Sequence, residues 1–255
     1  MPFSCRSYLP MLLLLAGTLT SVQASPWEDA NSAFAAGEYA RALPLYQEVI
    51  ERNGPTAARL YNLGNTHAKL NQPGPAVLCY ERAALLAPRD PDLQANLKLT
   101  RPFSAASMVE PPPWWKAPLF WLSLHEWSWI AGLGLGALAM PALAWLFLTN
   151  RPLWLREATP WAVGSGAALT LLGTLALQQR APETQLAILT APEPVLRLSP
   201  FRDATPVNAT PPPPGTRVIP RERHGEWIHL TLPGSPTAGW VPSKDVTRII
   251  PEAGS

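Results

Sequence analysis

"AVLCYERAALLAP" at residues 76–88 and "ALPLYQEVIERNGP" at residues 42–55 are one amphipathic helix written twice, thirty-four positions apart. The offset continues upstream: Ala30 matches Gly64, Asn31 matches Asn65, Ala42 matches Ala76 and Tyr46 matches Tyr80. Fixed self-similarity at such a period marks stacked helix pairs, because a single pair cannot bury its apolar face alone. Small residues at 30/64 and 42/76 let paired helices approach closely, and the tyrosines fill the space between neighbours. Gly54-Pro55 ends the first unit and Pro88 the second. "DPDLQANLKLTR", residues 90–101, reads as a third helix that covers the open end.

Residues 26–100 resemble the tetratricopeptide family. The second unit carries Leu63, Gly64, Ala76, Tyr80, Ala83 and Pro88, while the first has Asp29 where the family has leucine. The domain is placed at 25–101. The resemblance implies a groove lined by the first helix of each pair. Asn31 and Asn65 fall on equivalent groove positions, with Asn62 and Asn96 on the adjoining edge. Their amides offer both donor and acceptor to an extended peptide; the same asparagines also suit capping and bracing of helices. Tyr61 and Lys69 are further groove candidates, and His67 stands where the family has a packing tyrosine. Trp27, Tyr61, Ala58 and Asp92 occupy the positions of the family's carboxylate-clamping lysines, so recognition of a chain-end carboxylate is not expected. Cys79 reads as a small packing residue.

Outside the repeat the composition departs from that of a single globule: 31 prolines, 11 tryptophans, only 15% charged residues and a net charge of +2. Bulk charge gives no support to a nucleic-acid partner. Residues 1–24 read as a signal peptide, with Arg6, the apolar run "LPMLLLLAGTLTSV" and cleavage after Ala24. Cleavage would remove Cys5 and leave Cys79 as the single thiol, so no internal disulfide is expected.

Two apolar stretches follow a linker over 102–126. Residues 127–148, "WSWIAGLGLGALAMPALAWLFL", carry no charge and are long enough to span a bilayer. Trp127, Trp129 and Trp145 suit its interfaces, and Gly132 and Gly136 form a G-x-x-x-G spacing that suits a helix-packing face. Residues 161–177, "WAVGSGAALTLLGTLAL", form the second expected span. The connecting loop, 149–160, carries Arg151 and Arg156, which suits the cytoplasmic side. A multi-pass protein of the bacterial inner membrane is expected, with both soluble parts on the extracytoplasmic (periplasmic) face.

After the second span the chain turns to short alternating strands broken by proline. "EWIHLTL" places Ile228 and Leu230 on one side and Trp227 and His229 on the other; "RVIPRERHG" reads as turning back before it, "GSPTAG" as a turn and "GWVP" as a final short strand. Residues 184–250 resemble the bacterial SH3 family through Arg197 and Pro200, Gly215-Thr216, Trp227, Gly239-Trp240-Val241-Pro242 and Ile249. The domain is placed at 182–250, and the resemblance implies a five-stranded small barrel. The residues offered for a contact surface are Phe201, Trp227 and Trp240. Pro211–Pro214 read as a stiff loop.

No nucleotide-binding, metallohydrolase or paired-cysteine motif is present, so neither enzyme activity nor a cofactor nor a metal is expected. The expected fold class is multidomain: an all-α tetratricopeptide helical repeat, two transmembrane helices and a small all-β SH3-like barrel. That order, with "NLGN", "YERAALLAPRDPDLQANL" and "WLSLHEWSW", is similar to the BatE-like aerotolerance-operon family over nearly the whole chain. The resemblance implies an envelope scaffold that works with membrane-anchored von Willebrand A-domain proteins and, indirectly, a MoxR-type ATPase. The alternative is a sensor that touches peptidoglycan through the barrel.

Overall fold

The computed structural model describes residues 25–101, 113–147, 152–207 and 210–251. The expected signal peptide (1–24), residues 102–112 of the expected linker and residues 148–151 lie outside the described residues.

Five helices open the described chain: α1 (Pro26–Ala35), α2 (Tyr39–Asn53), α3 (Ala57–Lys69), α4 (Pro73–Leu86) and α5 (Pro91–Thr100). Three of their starts carry a capping side chain. Ser25 and Glu28 form a reciprocal capping box on α1, Thr56 caps α3, and Asp90 caps α5 with Pro91 in the first turn. Gly37 and Gly54 take positive φ at the ends of α1 and α2, a conformation that costs other residues a Cβ clash. Ala30, Ala42, Ala76 and Ala83 are fully buried where paired helices meet, and Tyr46 and Tyr80 fill the layers between pairs. A Cβ on Gly64 would lie 2.6 Å from the Tyr80 ring, so the close approach expected there is real. α5 packs Leu93 and Leu97 onto the open end, as expected for residues 90–101.

Among the described residues two helices are long and apolar enough to cross a membrane: α7 (Leu124–Phe147) and α8 (Leu153–Arg180), preceded by the short α6 (Ala117–Trp121). α7 and α8 run antiparallel and pack closely, Ala131 facing Gly173 and Gly134 facing Thr170. Two expectations need correction here. Gly132 and Gly136 face open space, and the backbones approach instead through Gly134, Gly166 and Gly173. The other concerns the connecting loop over 149–160: its residues from Leu153 onward already belong to α8. Eight leading residues, Leu153 to Pro160, extend that helix beyond the apolar run, and Pro160 is accommodated inside it.

The remaining strands, β1 (Ala187–Leu189), β2 (Arg217–His224), β3 (Trp227–Thr231), β4 (Ala238–Pro242) and β5 (Val246–Arg248), form one antiparallel sheet in the order β4-β3-β2-β1-β5. Its core is Ala187, Leu189, Leu196, Val218, Leu230 and Val241 with their neighbours. The run "RVIPRERH" does not turn back within itself. It is a full strand, and the reversal comes at Gly225, whose φ is +58°. Pro220 is absorbed by a register shift between Pro220 and Glu222, where a bulge removes the need for a ladder donor. "GWVP" is not the last strand either, since β5 follows it.

The sheet sits directly on the helical array. Val77 and Leu78 of α4 pack with Ile188 of β1 and Ile249. A Cβ on Gly74 would lie 2.8 Å from the Thr190 carbonyl oxygen, so the helix start and the strand end touch backbone to backbone.

Candidate functional site

Three surfaces carry chemistry. The first is built on α1, α3 and α5. Tyr46 Oη donates to Asn31 Oδ1 at 2.7 Å, and Asn62 Nδ2 donates to the same oxygen at 3.1 Å. One repeat later Tyr80 Oη donates to Asn65 Oδ1 at 2.7 Å, and Asn96 Nδ2 donates to it at 3.0 Å. Asn96 Nδ2 also lies 3.1 Å from Tyr61 Oη, as its donor. The structure therefore brings Asn31, Tyr61, Asn62, Asn65 and Asn96 into one repeated ladder. Lys69 stands apart, exposed in the last turn of α3.

The ladder uses the amides for bracing. Each of Asn31 and Asn65 spends its carbonyl oxygen on two internal donors. Burial raises the hydroxyl of Tyr46 above its ordinary range and pushes that of Tyr80 up to about 12, so both remain protonated donors. The amide NH2 groups of Asn31 and Asn65 and the carbonyls of Asn62 and Asn96 are the capacity left for an outside peptide. His67 is buried with Nδ1 2.7 Å from Gln72 Oε1, and burial holds its pKa down despite that contact. Cys79 is buried and free, its thiol pushed up to about 12 by desolvation, which makes it a packing group with little thiolate character.

The second surface belongs to the sheet. Period-two alternation puts Trp227 and His229 of β3 on the outer face, cross-strand from Pro242 and Trp240 of β4, while Leu230 enters the core. Trp240 packs against His229 in a tilted arrangement with ring centres 5.1 Å apart, and meets His224 edge-on at 6.4 Å. Trp227 instead walls a cleft of about 600 Å3. Four cations (Arg197, Arg202, Arg223 and Lys244) line that cleft against two acids, Glu226 and Asp245. Phe201 is exposed and lies outside the lining. The three aromatic residues expected to make one surface are thus divided among the cleft wall, a contact with two histidines and an open loop.

The third surface was not read from the sequence. Glu81 of α4, 4% exposed, faces two guanidinium groups at once. Arg217 of β2 reaches it through Nε and Nη2 at 2.8 and 2.7 Å, and Arg101, just after α5, through Nε and Nη2 at 2.9 and 2.8 Å. Burial works to raise the Glu81 carboxyl, but Arg217 and Arg101 outweigh it and hold the group below its ordinary range. Arg82, one residue on, donates to the carbonyl oxygens of Ile249 and Arg248, each at 2.9 Å. A second cleft, about 540 Å3, opens at this junction between Pro88, Arg101, Phe120, Arg180, Leu186 and Arg217. One sequence signal was available: a glutamate set within the buried stretch 76–83 of α4 requires a partner. Among the described residues no three His, Cys, Asp or Glu side chains stand together as a metal site.

Comparison with protein-family models, with characterised proteins and with solved structures returns no match to this chain.

Proposed function

We propose that this chain is a membrane-anchored scaffold of the BatE-like kind. In this reading a tetratricopeptide array and an SH3-like barrel are held outside the bacterial cytoplasmic membrane by two spanning helices and assemble envelope proteins. The partners proposed are von Willebrand A-domain Bat proteins, with a MoxR-type ATPase linked indirectly.

One observation carries the reading. The array and the sheet meet at the same end of the α7–α8 pair and are joined there by Glu81, which supports a reading in which both interaction surfaces share one side. Arg89 of the array pairs with Glu126 at the start of α7 at 2.7 Å, and Glu183 just past α8 pairs with Arg180 at 2.9 Å. Two contact modules on one platform suit simultaneous engagement of two partners, which raises avidity without new contacts.

A second reading is favoured by the cationic cleft beside Trp227. Peptidoglycan stem peptides carry carboxylates, and an indole wall beside arginines suits them. The two readings part under photocross-linking in intact cells. A photoreactive residue at Asn62 of the ladder or at exposed Lys69 should give adducts with envelope membrane proteins, and one at Arg202 adducts with wall fragments only if the second reading holds. Absence of any adduct at both Asn62 and Lys69 would remove the scaffold reading. Sidedness is tested separately: alkaline phosphatase fused after residue 251 should be active, and an inactive phosphatase fusion beside an active β-galactosidase fusion at the same position would overturn it.

A further inference from the structure

The short segment ahead of α7 is built to lie on a surface. Residues 114–116 form a 3-10 turn that leads into α6, and Ser123 with Glu126 then caps α7. Trp114, Pro118 and Trp121 follow helical spacing, so they share one side. That side is open: Trp114 is 87% exposed and Trp121 71%. Trp115 is exposed beside them, with Lys116 Nζ 5.0 Å from its ring centre.

The opposite side is nailed to the two long helices. Trp127 of α7 donates its indole N–H to the Leu119 carbonyl at 3.0 Å. Arg180, at the last turn of α8 and only 4% exposed, donates to the Leu122 carbonyl and sets its guanidinium 5.4 Å from the Phe120 ring centre. Glu183 holds that guanidinium through two further contacts, at 2.9 and 3.2 Å. The Glu183 carboxylate and the Leu122 carbonyl together compensate the burial of that charge, so the guanidinium holds the segment in place.

We propose that residues 113–122 form a foot seated in the headgroup–acyl boundary of the outer leaflet, with Trp114 and Trp121 in lipid and Arg180 as its fastener. The occupant of the exposed face is the bilayer. The foot is continuous with the starting end of α7 and bound to the finishing end of α8, and the outward faces of those helices expose Leu133, Leu135, Leu171 and Leu172. An indole has an apolar body and one donor, which suits that boundary and not bulk water. A rigid foot would also fix the height of the array, because Arg89 reaches Glu126 just beyond it.

This rests on α7 and α8 spanning the bilayer, and the test reads the two claims apart. The full chain, with Cys5→Ser, is reconstituted in phosphatidylcholine–phosphatidylglycerol vesicles carrying one nitroxide at a time. The sites are Trp114→Cys, Trp121→Cys, Leu135→Cys on α7 and Gln47→Cys on the exposed side of α2. Buried Cys79 stays unlabelled. Power saturation compares oxygen with a water-soluble nickel complex. Labels at 114 and 121 should favour oxygen, less strongly than the label at 135, while the label at 47 favours nickel. Nickel-favouring labels at 114 and 121 with an oxygen-favouring label at 135 would overturn the foot and keep the spans; a nickel-favouring label at 135 would overturn both. Arg180→Gln should move the labels at 114 and 121 toward water and leave 135 unchanged. Unmoved labels would overturn the role given to Arg180.

Discussion

Arg217 on β2 closes on Glu81 of α4 across 136 positions of chain, with Nη2 to Oε2 at 2.7 Å and Nε to Oε1 at 2.8 Å. This fork joins two regions of unrelated architecture, and Arg101 shares the same carboxylate. Glu81→Gln would leave two guanidinium groups facing one neutral amide. Removing one partner of a buried pair costs about 3–5 kcal/mol. The guanidinium groups are about a quarter exposed, so the loss should fall near the low end, roughly 3 kcal/mol. Urea unfolding of the full chain in detergent, followed by circular dichroism, checks it. An unchanged midpoint would mean that the fork contributes nothing to stability.

The same carboxylate predicts a pH dependence. Its folded pKa lies below the ordinary value of 4.5, because Arg217 and Arg101 outweigh the effect of burial. The stability it contributes is therefore fully present above pH 4.5 and is lost as pH falls from there through the folded value. Other carboxylates titrate in the same range, so the informative quantity is a difference. The gap in unfolding midpoint between the native chain and Glu81→Gln should be constant at neutral pH and shrink on acidification. A gap that widens in acid contradicts the ion-pair account.

What the sequence made legible follows from where each signal resides. The repeat was readable because its period, its small residues and its tyrosines all lie within neighbouring helices. The apolar helices were readable from length and lack of charge. The start of α8 was misread because Arg156 and Pro160 look like loop chemistry, although a helix tolerates them outside its apolar run. The packing glycines were misassigned because G-x-x-x-G spacing says nothing about which side of a helix faces its neighbour; Gly134 and not Gly132 points inward. The Glu81 junction had no local signature beyond one acid on a buried helix, since its partner Arg217 lies in another architecture. Likewise the spacing of Asn31 and Asn65 was visible, but the tyrosine hydroxyls that use their oxygens lie fifteen residues away on the paired helix.

That ladder makes a prediction about stability. Asn31→Ala would strand the Tyr46 hydroxyl, whose residue is 1% exposed, and take an acceptor from Asn62. An unsatisfied buried donor costs about 1–3 kcal/mol, whereas removing both partners can be nearly neutral. Asn31→Ala should therefore destabilise the array by that amount, and Tyr46→Phe added to it should restore part of the loss. Asn65 and Tyr80 should behave alike. Thermal unfolding of the two single variants and the double variant gives the coupling; strict additivity would show that the hydroxyl does not depend on the amide.

The helix pair gives the sharpest contrast between two residues of the same type. A Cβ on Gly134 would lie 2.7 Å from the Gly166 carbonyl oxygen, and one on Gly173 would lie 2.8 Å from the Ala131 backbone nitrogen. Backbone cannot rotate aside as a side chain can, so the helices must separate. Overpacking of this kind costs about 1–3 kcal/mol. Gly132 and Gly136 meet nothing within 4 Å, and alanine there gains up to about 1 kcal/mol of helix propensity on a water-based scale. Gly134→Ala and Gly173→Ala should thus lower the unfolding midpoint of α7–α8 in an SDS titration from mild detergent, while Gly132→Ala and Gly136→Ala leave it unchanged or raise it. Equal loss at all four positions would mean that the packing face has been assigned to the wrong side of α7.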